Sequence, residues 1–323
     1  MNRRDMLKGT GAGLATILAA AAGLPSAGAA ETASPASLDR LLEPYLAEYK
    51  LPALAAAVVK DGRIVTAGAV GTRRLGTDNP VGIDDRFHIG SDTKAMTALL
   101  AAMLVEQGKL RWDTTVAEVF PELAGTMAPQ VGSIRLDQLL SHTSGIPSDN
   151  DAQDKLVLQS YGQTELNLDE MRYWIVERVV AMPLQSAPGE RFDYANMGYV
   201  LAGAIVERLN RSTWEEVVAT RIFDSLGLET AGFGPQASLG RIDAPLGHRP
   251  LPDGTVKAML AGPNGDNPEM IGPAGTVHLS ILDFAAWAGW NAGEGKRGPA
   301  LVSAEALRKL HTPVVDIPPR PDA

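Results

Sequence analysis

The chain has 323 residues, 45% of them hydrophobic and 21% charged, which suits one large globular domain or two lobes sharing a core. Its formal net charge of −9, with no basic cluster in the body, argues against a nucleic-acid partner. Cysteine is absent, which excludes disulfides, thiol catalysis and cysteine-based metal sites. The five histidines (His88, His142, His248, His278 and His311) form no H-E-x-x-H pattern, so no metal or other cofactor is expected.

The first thirty residues read as an export signal. "NRRDMLKGTGAGLATILAAAAGLPSAGAA" pairs Arg3 with Arg4, continues as a short, mildly apolar stretch and closes with A-x-A at Ala29. The arginine pair resembles the twin-arginine type. The stretch is too short and too rich in Gly and Ala to predict a span, so no stable membrane span is expected after cleavage. Removing residues 1–30 takes away Arg3, Arg4, Lys8 and Asp5 and moves the charge from −9 to −11. A bacterial periplasmic or secreted domain, residues 31–323, is the expected product.

Within that domain, residues 37–50 carry Leu38, Leu41, Leu42, Tyr45, Leu46 and Tyr49 at helical spacing. "ALAAAVVKDGRIVTAGAVG" predicts two strands around an Asp61-Gly62 turn, residues 53–70. The middle of the chain predicts helices at 91–107, near 136–141, and at 168–181, 197–209 and 213–225. A second Asp-Gly turn, 253–254, predicts a hairpin within 241–261, and further helices are expected near 280–290 and 303–310. No internal repeat or low-complexity segment follows the signal. Strands first and helices in the middle predict an α+β arrangement, a sheet lobe beside a helical lobe with a cleft between them.

The segment 91–107 raises a physical question. Ala95 to Val105 contains only Thr97 as a polar residue, so this helix is apolar on every face and belongs in a core. Gly108 supplies a stop, which leaves Ser91 as cap or first-turn residue. Lys94 then lies in the first turn, where the helix dipole disfavours a cation. Fifteen serines and nine lysines give about 0.4 chance S-x-x-K matches in such a chain, and Ser91/Lys94 is the single match. A second candidate lies in "PGERFDYANMGYVLAGAIVERL", where Tyr194 and Asn196 occupy a turn before another apolar helix. A tyrosine beside a lysine ammonium is a competent base toward a serine hydroxyl. An amide can hold a lysine and donate to a substrate carbonyl. Taken singly, Tyr194 also suits packing and Asn196 suits a helix cap.

The order of these motifs resembles the serine β-lactamase and penicillin-binding protein superfamily. The segments "FHIGSDTKAMTALLAAMLVEQGKLRWDTTVAEVFPEL", "LDQLLSHTSGIP", "PGERFDYANMGYVLAGAIVERL", "IFDSLGLETAGFG" and "GPAGTVHLSILDFAAW" narrow the likeness to the class C β-lactamase-like group, over residues 37 to 313. That group includes D-alanyl-D-alanine carboxypeptidases and serine esterases. The resemblance implies an α/β fold of the α+β type, with an antiparallel sheet lobe and a helical lobe. It implies Ser91 as acyl-accepting nucleophile, Lys94 and Tyr194 as its activators, and Asn196 as substrate-binding residue. The Ser91 backbone N–H would supply half of an oxyanion hole. The implied partner is a small-molecule or peptide substrate: a β-lactam, a D-Ala-D-Ala-type peptide or a small ester. His142 and Ser144 in "LLSHTSG" invite a Ser/His reading, but in the family this segment is mainly architectural.

One departure stands out. The family's third motif, K-T-G or H-x-G on a late strand, is not found. Lys60-Asp61-Gly62, His88-Ile89-Gly90 and Lys296-Arg297-Gly298 lie elsewhere, and His311-Thr312-Pro313 fits the helix end that precedes the motif. The expectation is therefore a domain lacking the C-terminal strands and helix, to which about 80–120 further residues would belong. On that expectation the 323-residue chain is poorly soluble and nearly inactive. The rival readings are a catalytically inactive binding module of the same fold and an α/β-hydrolase; the second lacks its G-x-S-x-G.

Overall fold

Strand β1 (Ala36–Ser37) leads into helix α1 (Asp39–Glu48) and then into the hairpin of β2 (Ala53–Lys60) and β3 (Arg63–Gly71). Asp61 and Gly62 both take positive φ, 56° and 73°, the two-residue turn whose twist matches that of the strands. The computed structural model describes residues 36–148, 151–260 and 265–317. The expected export segment, residues 1–30, lies outside them. The hairpin is antiparallel with an irregularity between Val58 and Val59, and β1 adds to β3 in parallel. The order β1–β3–β2 leaves β2 at an edge, without a second strand partner among the described residues.

Strand β4 (Arg86–His88) and a 3₁₀ turn, Gly90–Asp92, precede α2 (Thr93–Glu106). The helical portion continues with α3 (Val116–Val119), α4 (Leu136–Leu140), α5 (Asp151–Ser160), α6 (Leu168–Val179), α7 (Asn196–Asn210), α8 (Trp214–Val218) and α9 (Asp224–Leu226). A π-helical turn, Ala219–Phe223, joins the last two, so the helix expected at 213–225 is present but underwound in its middle. After β5 (Gly232–Phe233) comes the hairpin β6 (Gly247–Pro250) and β7 (Val256–Met259), around the Asp253-Gly254 turn that predicted it. The chain then forms α10 (Gly272–Gly275), β8 (Val277–Ser280), α11 (Ile281–Ala292) and α12 (Ala304–His311). Thr312 is the C-cap of α12, so His311 does mark a helix end.

The sequence pattern did not reveal β4, β5 and β8, which form a second sheet in the order β4–β8–β5. Nor did it reveal α5. Strand β8 is buried along its whole length, and its antiparallel pairing with β4 sets Phe87 opposite Leu279 and His88 opposite His278. No helix among the described residues is long and apolar enough to cross a membrane.

Helices α2 and α7 form the centre of the core. Ten of the fourteen residues of α2 are buried, as its all-round apolar sequence requires, and the buried residues of α7 run from Met197 to Glu207. Reciprocal capping boxes fix neighbouring helix starts: Thr115 with Glu118, Asn167 with Glu170 and Thr213 with Glu216. Behind the core, Arg172 on α6 is fully buried. Its guanidinium donates to the Glu207 carboxylate on α7, to Glu215 Oε1 on α8 at 2.8 Å and to the Met270 carbonyl at 3.2 Å. Glu207 Oε1 also accepts from the Trp214 backbone N–H at 2.9 Å, so one cation ties three helices together. Arg172→Ala strands the buried Glu207 carboxylate. The expected loss is about 3–5 kcal/mol of unfolding free energy, measured by urea denaturation; a loss near zero would deny the triad its structural role.

Candidate active site

The Ser91 turn is held by backbone bonds on both sides. Ile89 N–H donates to the Val277 carbonyl at 3.0 Å, and Val277 N–H donates to Thr93 Oγ1 at 3.2 Å. Gly90, at φ 53°, donates its N–H to His88 Nδ1 at 2.9 Å. These contacts pin the Gly90–Asp92 turn against β8, and Ser91 emerges exposed just ahead of α2. Asp92 occupies the N-cap of α2 without a side-chain cap bond. The Ser91 hydroxyl is engaged in a different way.

Lys94 lies one turn further on and is buried. Its Nζ donates to Ser91 Oγ at 3.1 Å, to Asn196 Oδ1 at 2.8 Å and to the Ala274 carbonyl at 2.6 Å. Three acceptors around one nitrogen suit the three N–H groups of an ammonium. The same nitrogen lies 4.8 Å from the Tyr194 ring centroid and 5.4 Å from that of Tyr199. The Tyr194 hydroxyl donates to Ser91 Oγ at 2.5 Å. Asn196 is the first residue of α7, and Ala195 is the N-cap without a side-chain cap bond. The capping explanation for Asn196 therefore fails; its amide oxygen faces Lys94. All four residues singled out in the sequence come together in one cluster.

Three further contributors join them, of which the sequence pointed only to His142, and in another role. The α10 segment presents consecutive carbonyls to α2: Pro273 accepts from Thr97 Oγ1 at 2.7 Å and Ala274 accepts from Lys94. Thr97, the lone polar residue in the apolar run, was the available hint. Gly203 on α7 permits this approach, since a Cβ there would lie 2.1 Å from Pro273 Cγ. Tyr199, on α7, donates its hydroxyl to the Leu140 carbonyl at 2.7 Å, and burial pushes its phenol up from the usual value. His142 stacks on Tyr194 with ring centroids 4.3 Å apart. It is not paired with Ser144, whose Oγ accepts from Ile146 N–H at 3.3 Å. Among the described residues no group of three or more His, Asp or Glu is arranged to hold a metal ion.

Residues 38–322 match the Beta-lactamase family, and the chain belongs to it. It is 30% identical over 275 residues to penicillin-binding protein 4 of Amycolatopsis lactamdurans, covering 81% of this chain and 66% of that protein. Among solved structures it resembles the octameric penicillin-binding protein homologue from Pyrococcus abyssi, with a TM-score of 0.67 and 27% identity over 84% of this chain and 59% of that one. It also resembles the D-alanine carboxypeptidase AmpC from Burkholderia cenocepacia, with a TM-score of 0.62, over 83% of this chain and 66% of that one. At 23% identity this last likeness concerns the fold. The fold is that of the serine β-lactamases and penicillin-binding proteins, of mixed α/β type with helices around small sheets.

Burial, and after it the Lys94 ammonium, push the His142 imidazole down to about 4. An unfolded histidine titrates near 6.5. Between these values the unfolded chain holds the extra proton, so stability falls as pH drops from about 6.5 to about 4 and the contribution levels off below that. The slope from this group reaches at most about 1.4 kcal/mol per pH unit. Urea midpoints followed from pH 7 to 4.5 should decline, and the decline should be shallower in His142→Asn. Equal slopes in both proteins would mean that the imidazole is not held neutral.

Proposed function

We propose that the protein is a serine hydrolase working through an acyl-enzyme on a β-lactam, a D-Ala-D-Ala-type peptide or a small ester. The observation that carries this reading is the Ser91 hydroxyl, exposed and within hydrogen-bond reach of both Lys94 Nζ, at 3.1 Å, and the Tyr194 hydroxyl, at 2.5 Å. In the proposed cycle Tyr194 first gives its hydroxyl proton to solvent, and Ser91 Oγ attacks the carbonyl carbon while its own proton passes to the phenolate oxygen so formed. The Lys94 ammonium beside that oxygen balances the phenolate charge. The Ser91 backbone N–H, at the positive end of α2, donates to the developing oxyanion. Tyr194 then returns the proton to the leaving group, and Ser91 keeps the acyl group as an ester. Asn196 orients the substrate carbonyl side and holds Lys94, its bond to Nζ measuring 2.8 Å. Water attacks the ester by the same proton route and frees Ser91. Membership of the Beta-lactamase family supports the same chemistry.

A fluorophosphonate or β-lactam probe should label Ser91 alone, as located by tryptic mapping, and Ser91→Ala should abolish the label. Lys94→Met should keep the fold yet slow acylation by about 10²–10⁴, the range for losing a positioned proton-transfer group. Lys94→Arg should fail too, because a planar guanidinium does not reproduce the compact ammonium. A label on another serine, or near-normal acylation in either lysine variant, would remove this mechanism.

We further propose that residues 1–30 direct export by the twin-arginine route, on the strength of Arg3-Arg4 ahead of a weakly apolar stretch. Replacing both arginines with lysine should strand the precursor in the cytoplasm. Unchanged periplasmic yield would assign export to the general secretory route.

A further inference from the structure

The Tyr194 hydroxyl can meet Ser91 only if the short turn before α7 is held still. This turn lies between two helices, and its backbone bonds converge on a single residue. His142 Nδ1 accepts the Ala195 N–H at 3.1 Å, and the His142 carbonyl accepts the Asp193 N–H at 2.8 Å. The same ring stacks on Tyr194, meets Phe192 edge-on at 5.7 Å and lies against Tyr199 at 5.1 Å. His142 thus touches residues 192 to 195 on both of their available sides, backbone and ring.

Its own backbone is specialised for this. His142 takes φ 58°, a left-handed conformation uncommon outside glycine, though histidine adopts it more readily than most side chains do. That conformation follows α4 directly and turns the imidazole toward the 192–195 segment. Ala195 is 1% exposed, so its N–H depends on a protein acceptor. The ionisable groups that face the ring are Lys94 from α2 and the phenols of Tyr194 and Tyr199. Burial first, and the Lys94 charge after it, keep the imidazole neutral, and a neutral imidazole accepting at Nδ1 carries its proton on Nε2.

We infer that His142 is a positioning residue for the proposed acyl transfer, fixing the Tyr194 hydroxyl on Ser91 through its Nδ1 bond to Ala195 and its stack on the Tyr194 ring. This rests on the acyl-enzyme reading above. His142 moves no proton in the reaction; it acts through Tyr194. A displacement of the order of 1 Å in such a contact is enough for about a hundredfold loss of rate.

The test compares two substitutions that both tolerate the left-handed backbone. His142→Asn keeps an acceptor where Nδ1 stood, and His142→Gly removes it. Acylation of Ser91 by a fluorophosphonate is measured in each, alone and combined with Tyr194→Phe, together with hydrogen exchange at the Ala195 amide. His142→Gly should slow acylation about tenfold to a hundredfold and speed Ala195 exchange. His142→Asn should recover most of the rate and the protection. In the Tyr194→Phe background His142→Gly should add little further loss, because both changes act on one contact. A general weakening of the fold would instead leave the two losses independent. Additive losses, an unaffected His142→Gly enzyme, or a His142→Asn enzyme as slow as His142→Gly would each overturn the inference. If His142→Gly does not fold, His142→Asn decides: retained rate with a protected Ala195 amide supports the inference, and a tenfold loss overturns it. Failure of the wild-type protein to label at Ser91, with the Ala195 amide still protected, would instead sink the acyl-enzyme reading and this inference with it.

Discussion

A buried ammonium has to be surrounded by acceptors, and the organisation of the site follows from meeting that demand at Lys94. Removing such a charge from water costs several kcal/mol, on the order of the stability of a whole domain, unless oxygen atoms replace the hydration shell. Here they come from three separate parts of the chain: the Ser91 hydroxyl, the Asn196 amide and the Ala274 carbonyl. Each must arrive within hydrogen-bond distance at once. The helix pair α2 and α7 and the short α10 are packed so that they do.

The packing that satisfies Lys94 is specific at the atomic level. The Gly203 position on α7 lets Pro273 approach, and Pro273 and Ala274 then present successive carbonyls to Thr97 and Lys94 of α2. The second sheet supports the arrangement from below. Strand β8 follows α10 directly, pairs with β4, and bonds on both sides of the Ser91 turn through the two backbone groups of Val277. On the far side, Arg172 joins α6, α7 and α8 and also holds the Met270 carbonyl just ahead of α10. The rear ion cluster and the front amine therefore act on the same segment, residues 270–275.

The aromatic groups form the other wall. Tyr194 and Tyr199 both turn ring faces toward the Lys94 nitrogen, which adds attraction without adding an acceptor. The two tyrosines differ in circumstance. Tyr199 is buried and its hydroxyl is committed to the Leu140 carbonyl, while Tyr194 is 39% exposed and its hydroxyl meets Ser91. A solvent-facing phenol beside a fixed cation is suited to proton exchange; a buried, committed one is suited to support. His142, packed against both rings, ties the two roles together.

The sequence by itself determined the elements whose causes are local. The Asp-Gly turns located both hairpins, the all-apolar run located α2, and the misplacement of Lys94 at a helix start singled out the site before any partner was known. The family motifs added Tyr194 and Asn196. What the tertiary structure decided lay between elements distant in sequence. Strands β4, β5 and β8 are two to four residues long, too short to display a period, and exist because β8 pairs with residues far away in the chain, Phe87 of β4 opposite Leu279 and Gly232 of β5 opposite His278. Helix α5 buries Gln153, Leu156, Val157 and Ser160 at helical spacing, but two of those four are polar, which hides the stripe. The Ala274 carbonyl carries no side-chain signature at all, and any residue type could have offered it. His142 looked like half of a Ser/His pair in the sequence; only the packing of α4 against α7 turns its ring to Tyr194, because a contact of that kind is set by where two helices cross and not by which residues they contain.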